Sequence, residues 1–164
     1  MKTRPVAAAL LLLIAPSAFA NQPPDIDHQP SACTLANQTL NLCATVTDDG
    51  QVAKVRIYFR REGDTFYSFT DMAFGGINFC GTVPAPRERK MRVLEYYIQA
   101  IDDAYETQRT STYKLPVALE GACEFPPPKG QAAAITVYAT NKKQGKKLPD
   151  GFDPASVTFV PLEK

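Results

Sequence analysis

The stretch Val93 to Asp103, VLEYYIQAIDD, constrains this chain more than any other. Leu94, Tyr96, Ile98 and Ala100 fall on one side, and Glu95, Tyr97 and Gln99 on the other. Period two, with aromatic and β-branched residues at most positions, is the pattern of a strand with one buried face. A strand cannot satisfy its own backbone, so it needs neighbours. The flanking sequence supplies them at short intervals. Leu40 to Val46 alternates with Leu40, Leu42, Ala44 and Val46 inward, and Asn41, Cys43 and Thr45 outward. Val55, Ile57 and Phe59 form the next inward set, with Lys54, Arg56, Tyr58 and Arg60 outward. Ile77 to Val83 follows with Phe79 inward and Cys80 outward, and Gln108 to Val117 closes the series. Asp48-Asp49-Gly50, Glu62-Gly63-Asp64, Gly75-Gly76 and Pro84-Ala85-Pro86 separate them with turn chemistry. Asn21 to Pro30 reads as an extended edge segment, and Thr65 to Phe74 as aromatic-rich and irregular. Seven or eight short strands at steps of about ten residues predict an all-β sandwich of roughly 95 residues, without amphipathic helices.

The first twenty residues read as a leader rather than as fold. Lys2 and Arg4 open it, Val6 to Ile14 is apolar but too short to cross a bilayer, and Ala18-Phe19-Ala20 is a small-x-small cleavage site. Cleavage after Ala20 predicts an exported protein, periplasmic or extracellular. No later stretch is long and apolar enough to span a membrane. The remaining chain of about 144 residues suits one domain, at 21–119, with a short appendage at 120–164. Loss of Lys2 and Arg4 takes the 18 basic residues to 16 against 17 acidic ones, so no global charge points to nucleic acid. Four cysteines, Cys33, Cys43, Cys80 and Cys123, predict two disulfides in an exported chain. With no C-x-x-C and a single histidine, His28, the pattern fits neither a zinc site nor redox catalysis. The appendage begins with a proline-rich linker at 125–130. Ala133 to Ala139 and Val157 to Pro161 then offer two strands around the polar, basic loop Asn141 to Lys147. A β-hairpin or a weakly ordered tail is expected there.

Three segments, LCATVTDDGQVAKVRIYFRREG (42–63), GGINFCGTVPAP (75–86) and VLEYYIQAIDDAYETQRT (93–110), resemble bacterial immunoglobulin-like and fibronectin type III-like domains. These modules are appended to many exported enzymes and surface proteins. The resemblance spans Pro24 to Val117, and its most specific part is Tyr96-x-Ile98-x-Ala100-x-Asp102 after Pro84-x-Pro86. Tyr96 matches the tyrosine such sandwiches place near the start of strand F. The core tryptophan is missing, and the F-like strand has no cysteine to pair with Cys43. The resemblance implies an immunoglobulin-like β-sandwich with a short C-terminal β extension, and leaves function open because one fold hosts many roles. It also bears on the disulfides. Strands B and E would be antiparallel neighbours, bringing Cys43 to Cys80 and leaving Cys33 for Cys123. A hairpin centred near Gln38 instead places Cys33 opposite Cys43 and leaves Cys80 for Cys123; the locality of its first link favours this second pairing.

Candidate chemistry is sparse. A serine or cysteine triad needs a histidine base, and His28 sits in a Pro/Asp-rich stretch where surface exposure is expected. Gly75-Gly76 stands alone as a turn, not a phosphate loop. In the sandwich topology Asp25, Asp27, Asp48, Asp49, Asp102, Asp103 and Glu106 converge at one end. Each is expected to cap its own turn; calcium, a hard cation that takes several carboxylate oxygens, is the rival reading. The other end carries Arg87, Glu88, Arg89, Lys90 and Arg92, a solvated loop or a site for an anionic partner. Arg56, Tyr58, Arg60, Tyr97 and Ile101 share the outer face of the C and F strands, and Tyr and Arg are favoured in interfaces. That face would hold a partner unless the tail covers it. Neither an enzyme nor a cofactor is expected. The sequence favours an exported interaction module that binds an envelope protein, with an accessory carbohydrate-binding module, Tyr58 and Tyr97 against polysaccharide, as the alternative.

Overall fold

Burial in β3 (Leu40–Thr47) follows the sequence residue by residue: Leu40, Leu42, Ala44 and Val46 are buried and the residues between them are not. The same holds in β4 (Val52–Arg61), where Val55, Ile57 and Phe59 are buried. In β8 (Val93–Asp102) Leu94, Tyr96, Ile98 and Ala100 are buried as expected. The computed structural model describes residues 21–124, 126, 128–130 and 134–163, so the leader assignment at 1–20 lies outside the described residues. Around these three strands stand β1 (Asp25–Asp27), β2 (Thr34–Leu35), β5 (Ser68–Asp71), β6 (Ala73–Phe74), β7 (Phe79–Val83), β9 (Thr107–Arg109), β10 (Tyr113–Ala118), β11 (Ile135–Ala139) and β12 (Val157–Val160). Among the described residues the only helical element is the 3-10 turn Lys142–Gln144, and no helix is long and apolar enough to cross a membrane.

Two sheets result, a sandwich-like, nearly all-β arrangement. The smaller has the order β1-β3-β7-β6, the larger β12-β11-β5-β4-β8-β10-β2, with β9 also on β8. Their inner faces share one core cluster: Leu40, Leu42, Ala44, Val46 and Val83 from the first, and among others Ile57, Phe59, Tyr96, Ile98 and Leu115 from the second. The predicted last strand, Gln108 to Val117, is two strands on β8. The register slips by one residue between them, where the Ile98 N–H donates to Thr110 Oγ1 (3.0 Å).

Three expectations are corrected. First, the stretch Thr65 to Phe74 contains a regular strand. β5 was illegible because its pattern is inverted: polar Ser68 and Thr70 are buried, while Phe69 faces outward. Second, the C-terminal strands do not form a hairpin. β11 and β12 are parallel, and β11 pairs antiparallel with β5, so the tail extends the larger sheet. A parallel pair requires a crossover. Here residues 140–156 supply it, and on the way they place Phe152, 2% exposed, edge-on against Phe59 at 5.1 Å between ring centroids. The passage is fixed by Arg87 N–H to Gly151 O (2.8 Å) and Asp153 N–H to Ala85 O (2.8 Å). Third, the disulfides are Cys33–Cys123 and Cys43–Cys80, not the locally linked pairing. Cys43 and Cys80 are directly opposite in the β3–β7 ladder, and β2 lies parallel to β10, which carries Cys33 to the end of the sandwich where Cys123 follows β10.

Non-reducing peptide mapping should return only the 33–123 and 43–80 linked pairs. On the loop-entropy scale, bridges closing 90 and 37 residues are worth about 5 and about 4 kcal/mol respectively. Phe152→Ala should cost about 3–5 kcal/mol in urea unfolding, because it empties a buried site against Phe59; an unchanged midpoint would mean the crossover is not docked.

Candidate binding face

The β4–β8 ladder that buries Ile57 against Ile98 must, by the pleat, turn Arg56, Tyr58 and Arg60 outward beside Gln99, Tyr97 and Glu95. The neighbouring strands extend this into three rows across the larger sheet. The middle row is aromatic: Tyr138 on β11, Phe69 on β5, Tyr58 on β4 and Tyr97 on β8, each in register with the next. Tyr138 stacks on Phe69 (4.9 Å, 16°), and Tyr58 stacks on Tyr97 (4.8 Å, 7°). The rings therefore stand upright, faces against each other and edges toward solvent. On one side lie Asp71, Arg56, Gln99 and Arg109, in register. On the other lie Arg60, Glu95 and Lys114 in register, with Tyr67 beside them.

Guanidinium groups lie over the rings: Arg56 over Phe69 at 4.4 Å, Arg60 over Tyr67 at 4.3 Å and Arg109 over Tyr97 at 5.3 Å. Such cation–π contacts are worth roughly 0.5–1 kcal/mol each at exposed sites. Carboxylates fix two of the three arginines. Arg56 Nε donates to Asp71 Oδ1 (3.0 Å), and Arg60 Nε to Glu95 Oε2 (2.7 Å). Glu95 is 5% exposed although it faces outward, because Arg60 and Lys114 roof it. Burial alone would raise its carboxyl, but hydrogen bonds and charge from Arg60 and Lys114 outweigh that and hold it below the usual carboxylate range. Burial and the neighbouring Tyr58 push the Tyr97 phenol up, with Arg109 opposing. The face is thus a fixed array of ring edges, phenols and guanidinium N–H groups.

Of the residues singled out in the sequence, Arg56, Tyr58, Arg60 and Tyr97 come together here. Ile101 does not. It shares the face, but pairs with Lys54 and Thr107 one strand-end away from the rings. Phe69, Tyr67, Tyr138 and Arg109 were missed. Phe69 belongs to the strand with the inverted pattern, Tyr67 directly precedes it and Tyr138 lies in the tail, so no sequence register tied them to Tyr58. Among the described residues the tail does not cover this face; it widens the sheet by two strands, β11 carrying Tyr138 and β12 carrying Val160 in register with it.

The acidic end shows turn chemistry. Asp48 Oδ2 accepts from Gly50 N–H (3.0 Å), and Asp102 Oδ1 accepts from Glu106 N–H (2.7 Å) while its Oδ2 takes Asn21 Nδ2 (2.6 Å). Asp25 and Asp27 lie along β1 beside Thr47 and Thr45. Asp49 and Asp103 are exposed at the two turns. Among the described residues no group of three or more His, Cys, Asp or Glu side chains is placed to hold a metal ion.

His28 is not a surface residue, as its Pro/Asp-rich setting suggested. Its ring is half-buried, edge-on to Tyr96 and Tyr113. Nδ1 is 2.7 Å from the Cys43 carbonyl and Nε2 is 2.9 Å from the Tyr96 hydroxyl. A carbonyl can only accept, so the proton sits on Nδ1 and the Tyr96 hydroxyl donates to Nε2. Tyr96 is fully buried, which pushes its phenol well up and keeps the O–H proton available for this bond.

No protein-family model matches the chain. No curated protein matches it either. Among solved structures, a crystal structure of an engineered protein from the Northeast Structural Genomics Consortium aligns at 17% identity with a TM-score of 0.46. The alignment covers 58% of this chain and 20% of that one.

The His28 arrangement predicts a pH dependence. Burial lowers the imidazole pKa, against opposing contributions from the Cys43 carbonyl and Asp27. The unfolded chain takes up a proton near pH ~6.5 that the native state refuses until lower pH, so stability falls as pH drops through that window. At pH 7.5, His28→Gln should be less stable by about 1–3 kcal/mol, for a buried hydroxyl left unpaired. The gap should narrow toward pH 5, read from urea midpoints. A constant gap would show that His28 is not the titrating group.

Proposed function

We propose that the protein is an exported, non-catalytic binding module of the cell envelope, an immunoglobulin-like sandwich of the fibronectin type III kind, that holds a protein partner on the outer face of its larger sheet. The strand order supports the fold type: β3 against β7 in one sheet, β4 against β8 in the other, and β10 beyond β8, as strands B, E, C, F and G would lie. Two disulfides with no free cysteine fit an oxidising compartment, as the leader reading requires. A non-catalytic role fits a chain whose single histidine is committed to Cys43 and Tyr96 and whose four cysteines are bridged.

The observation that carries the reading is the upright aromatic row flanked by guanidiniums. Tyr and Arg dominate binding hot spots because a rigid ring and a planar fork lose little entropy on contact. The same geometry argues against the carbohydrate alternative. Sugar rings stack on open aromatic faces. Tyr97 has Tyr58 on one face and Arg109 over its ring, and Tyr58 lies between Tyr97 and Phe69.

Oxidised protein used as bait in native envelope extract should retain one stoichiometric protein. Tyr58→Ala with Tyr97→Ala should weaken that retention at least about tenfold with both disulfides intact. A partner held equally by the double variant would move the interface off this face. Retention on polysaccharide columns with no protein partner would replace the reading by the carbohydrate one.

A further inference from the structure

The two ends of the sandwich differ in charge although the chain as a whole is close to neutral, at +1. The registers place Leu40 with Val83, Arg61 with Leu94, Pro116 with Val93, and Ala139 with Ser68, so one end collects the loops after β4, β7 and β11. The loop after β7 exposes Arg87, Arg89 and Arg92, and is held down by buried Met91. The loop after β11 exposes Lys142, Lys143, Lys146 and Lys147. Asp48, Asp49, Asp103 and Glu106 lie at the opposite end.

The two basic loops are laid side by side. The crossover that follows Lys147 joins the first loop through Arg87 N–H to Gly151 O, and Lys90 Nζ pairs with Asp150 Oδ2 (3.2 Å). Lys90 is the one basic residue of the two loops with a salt bridge among the described residues; the three arginines and four lysines named above have none. The lysine turn has a fixed shape. Asn141 caps it, and the Gln144 carboxamide accepts from Thr140 and Asn141 N–H and donates to buried Ser68 Oγ. Beside it, Val160 at the end of the neighbouring parallel strand and Leu162 just beyond that strand are exposed, 37% and 49%.

We propose that this end docks on the surface of an anionic phospholipid bilayer, with the lysine and arginine loops against the headgroups and Val160 and Leu162 entering the interface. Cations alone would suit any polyanion. Exposed apolar side chains beside the cations favour a surface that offers both phosphate and hydrocarbon. Its cations lie off the tyrosine–arginine face, which it meets only at Val160 beside Tyr138, and its failure would leave that reading intact.

The test uses residues 21–164, because the apolar leader would seek lipid by itself; all the strands among the described residues, the core and both disulfides lie in this span. Flotation is measured with vesicles of pure phosphatidylcholine and of phosphatidylcholine with a third phosphatidylglycerol. Partitioning should be at least about tenfold stronger onto the anionic vesicles and lost in high salt. Changing Lys142, Lys143, Lys146 and Lys147 together to Gln should reduce it about a thousandfold, at roughly 1 kcal/mol of surface attraction per cation. Leu162→Ser should reduce it several-fold without shifting the melting temperature, whereas Tyr58→Ala with Tyr97→Ala should leave it unchanged. Equal binding to both vesicle types, or binding untouched by the lysine changes, overturns the proposal. So does a dependence on the lysines but not on Leu162 that soluble heparin reproduces, which would assign the end to an acidic polymer.

Discussion

The long ladder between β4 and β8 decides both faces of the larger sheet at once. Because side chains alternate, the register that sets Ile57 opposite Ile98 and Phe59 opposite Tyr96 also sets Tyr58 opposite Tyr97 and Arg60 opposite Glu95. A slip of one residue would send the tyrosines into the core and the aliphatic row into water. The hydrophobic demand of the interior therefore fixes the outer array without any contribution from the outer residues themselves. Those residues add a smaller, specific term, cation–π and ion-pair contacts, that turns a permitted surface into a stiff one.

Legibility in the sequence tracked how far polarity reported burial. β3, β4 and β8 could be read because their apolar residues are the buried ones, and with them came Arg56, Tyr58, Arg60 and Tyr97. β5 could not, because its buried positions are Ser68 and Thr70. These stay inside at low cost: they are small, and Ser68 has Gln144 as a partner. Half of the aromatic row was lost with that strand and with the tail. The tail failed for another reason. Parallel pairing and a long crossover are non-local facts, and nothing near Val157 announces a neighbour at Ile135. The disulfides turned on the same distinction: a local hairpin suggested Cys33 with Cys43, and the sheet overrode it. His28 was misplaced because its short, Pro/Asp-rich neighbourhood resembles solvent-exposed chain, while the group that needed it, the hydroxyl of Tyr96, lies 68 residues away.

Tyr96 is among the largest fully buried side chains of this core. A phenol at the centre of a sandwich fills volume but brings a donor that must be satisfied. Here the satisfaction comes from the segment leading out of β1, so the same hydrogen bond that completes the interior ties the edge of the smaller sheet to the larger one. Phe152 does comparable work from the other terminus. A residue near each end of the folded chain is thus anchored in the space between the sheets.

The absence of tryptophan has an optical consequence. All near-ultraviolet emission from aromatic side chains comes from seven tyrosines and the weaker phenylalanines, with no indole to drain it. Four of those tyrosines, Tyr58, Tyr67, Tyr97 and Tyr138, belong to the outer array, and two of them are stacked nearly parallel. The outer face therefore contributes more than half of the protein's tyrosine chromophores from a single patch. Coupled transitions in that patch give it a circular dichroism signature of its own, a built-in reporter of whatever settles on it.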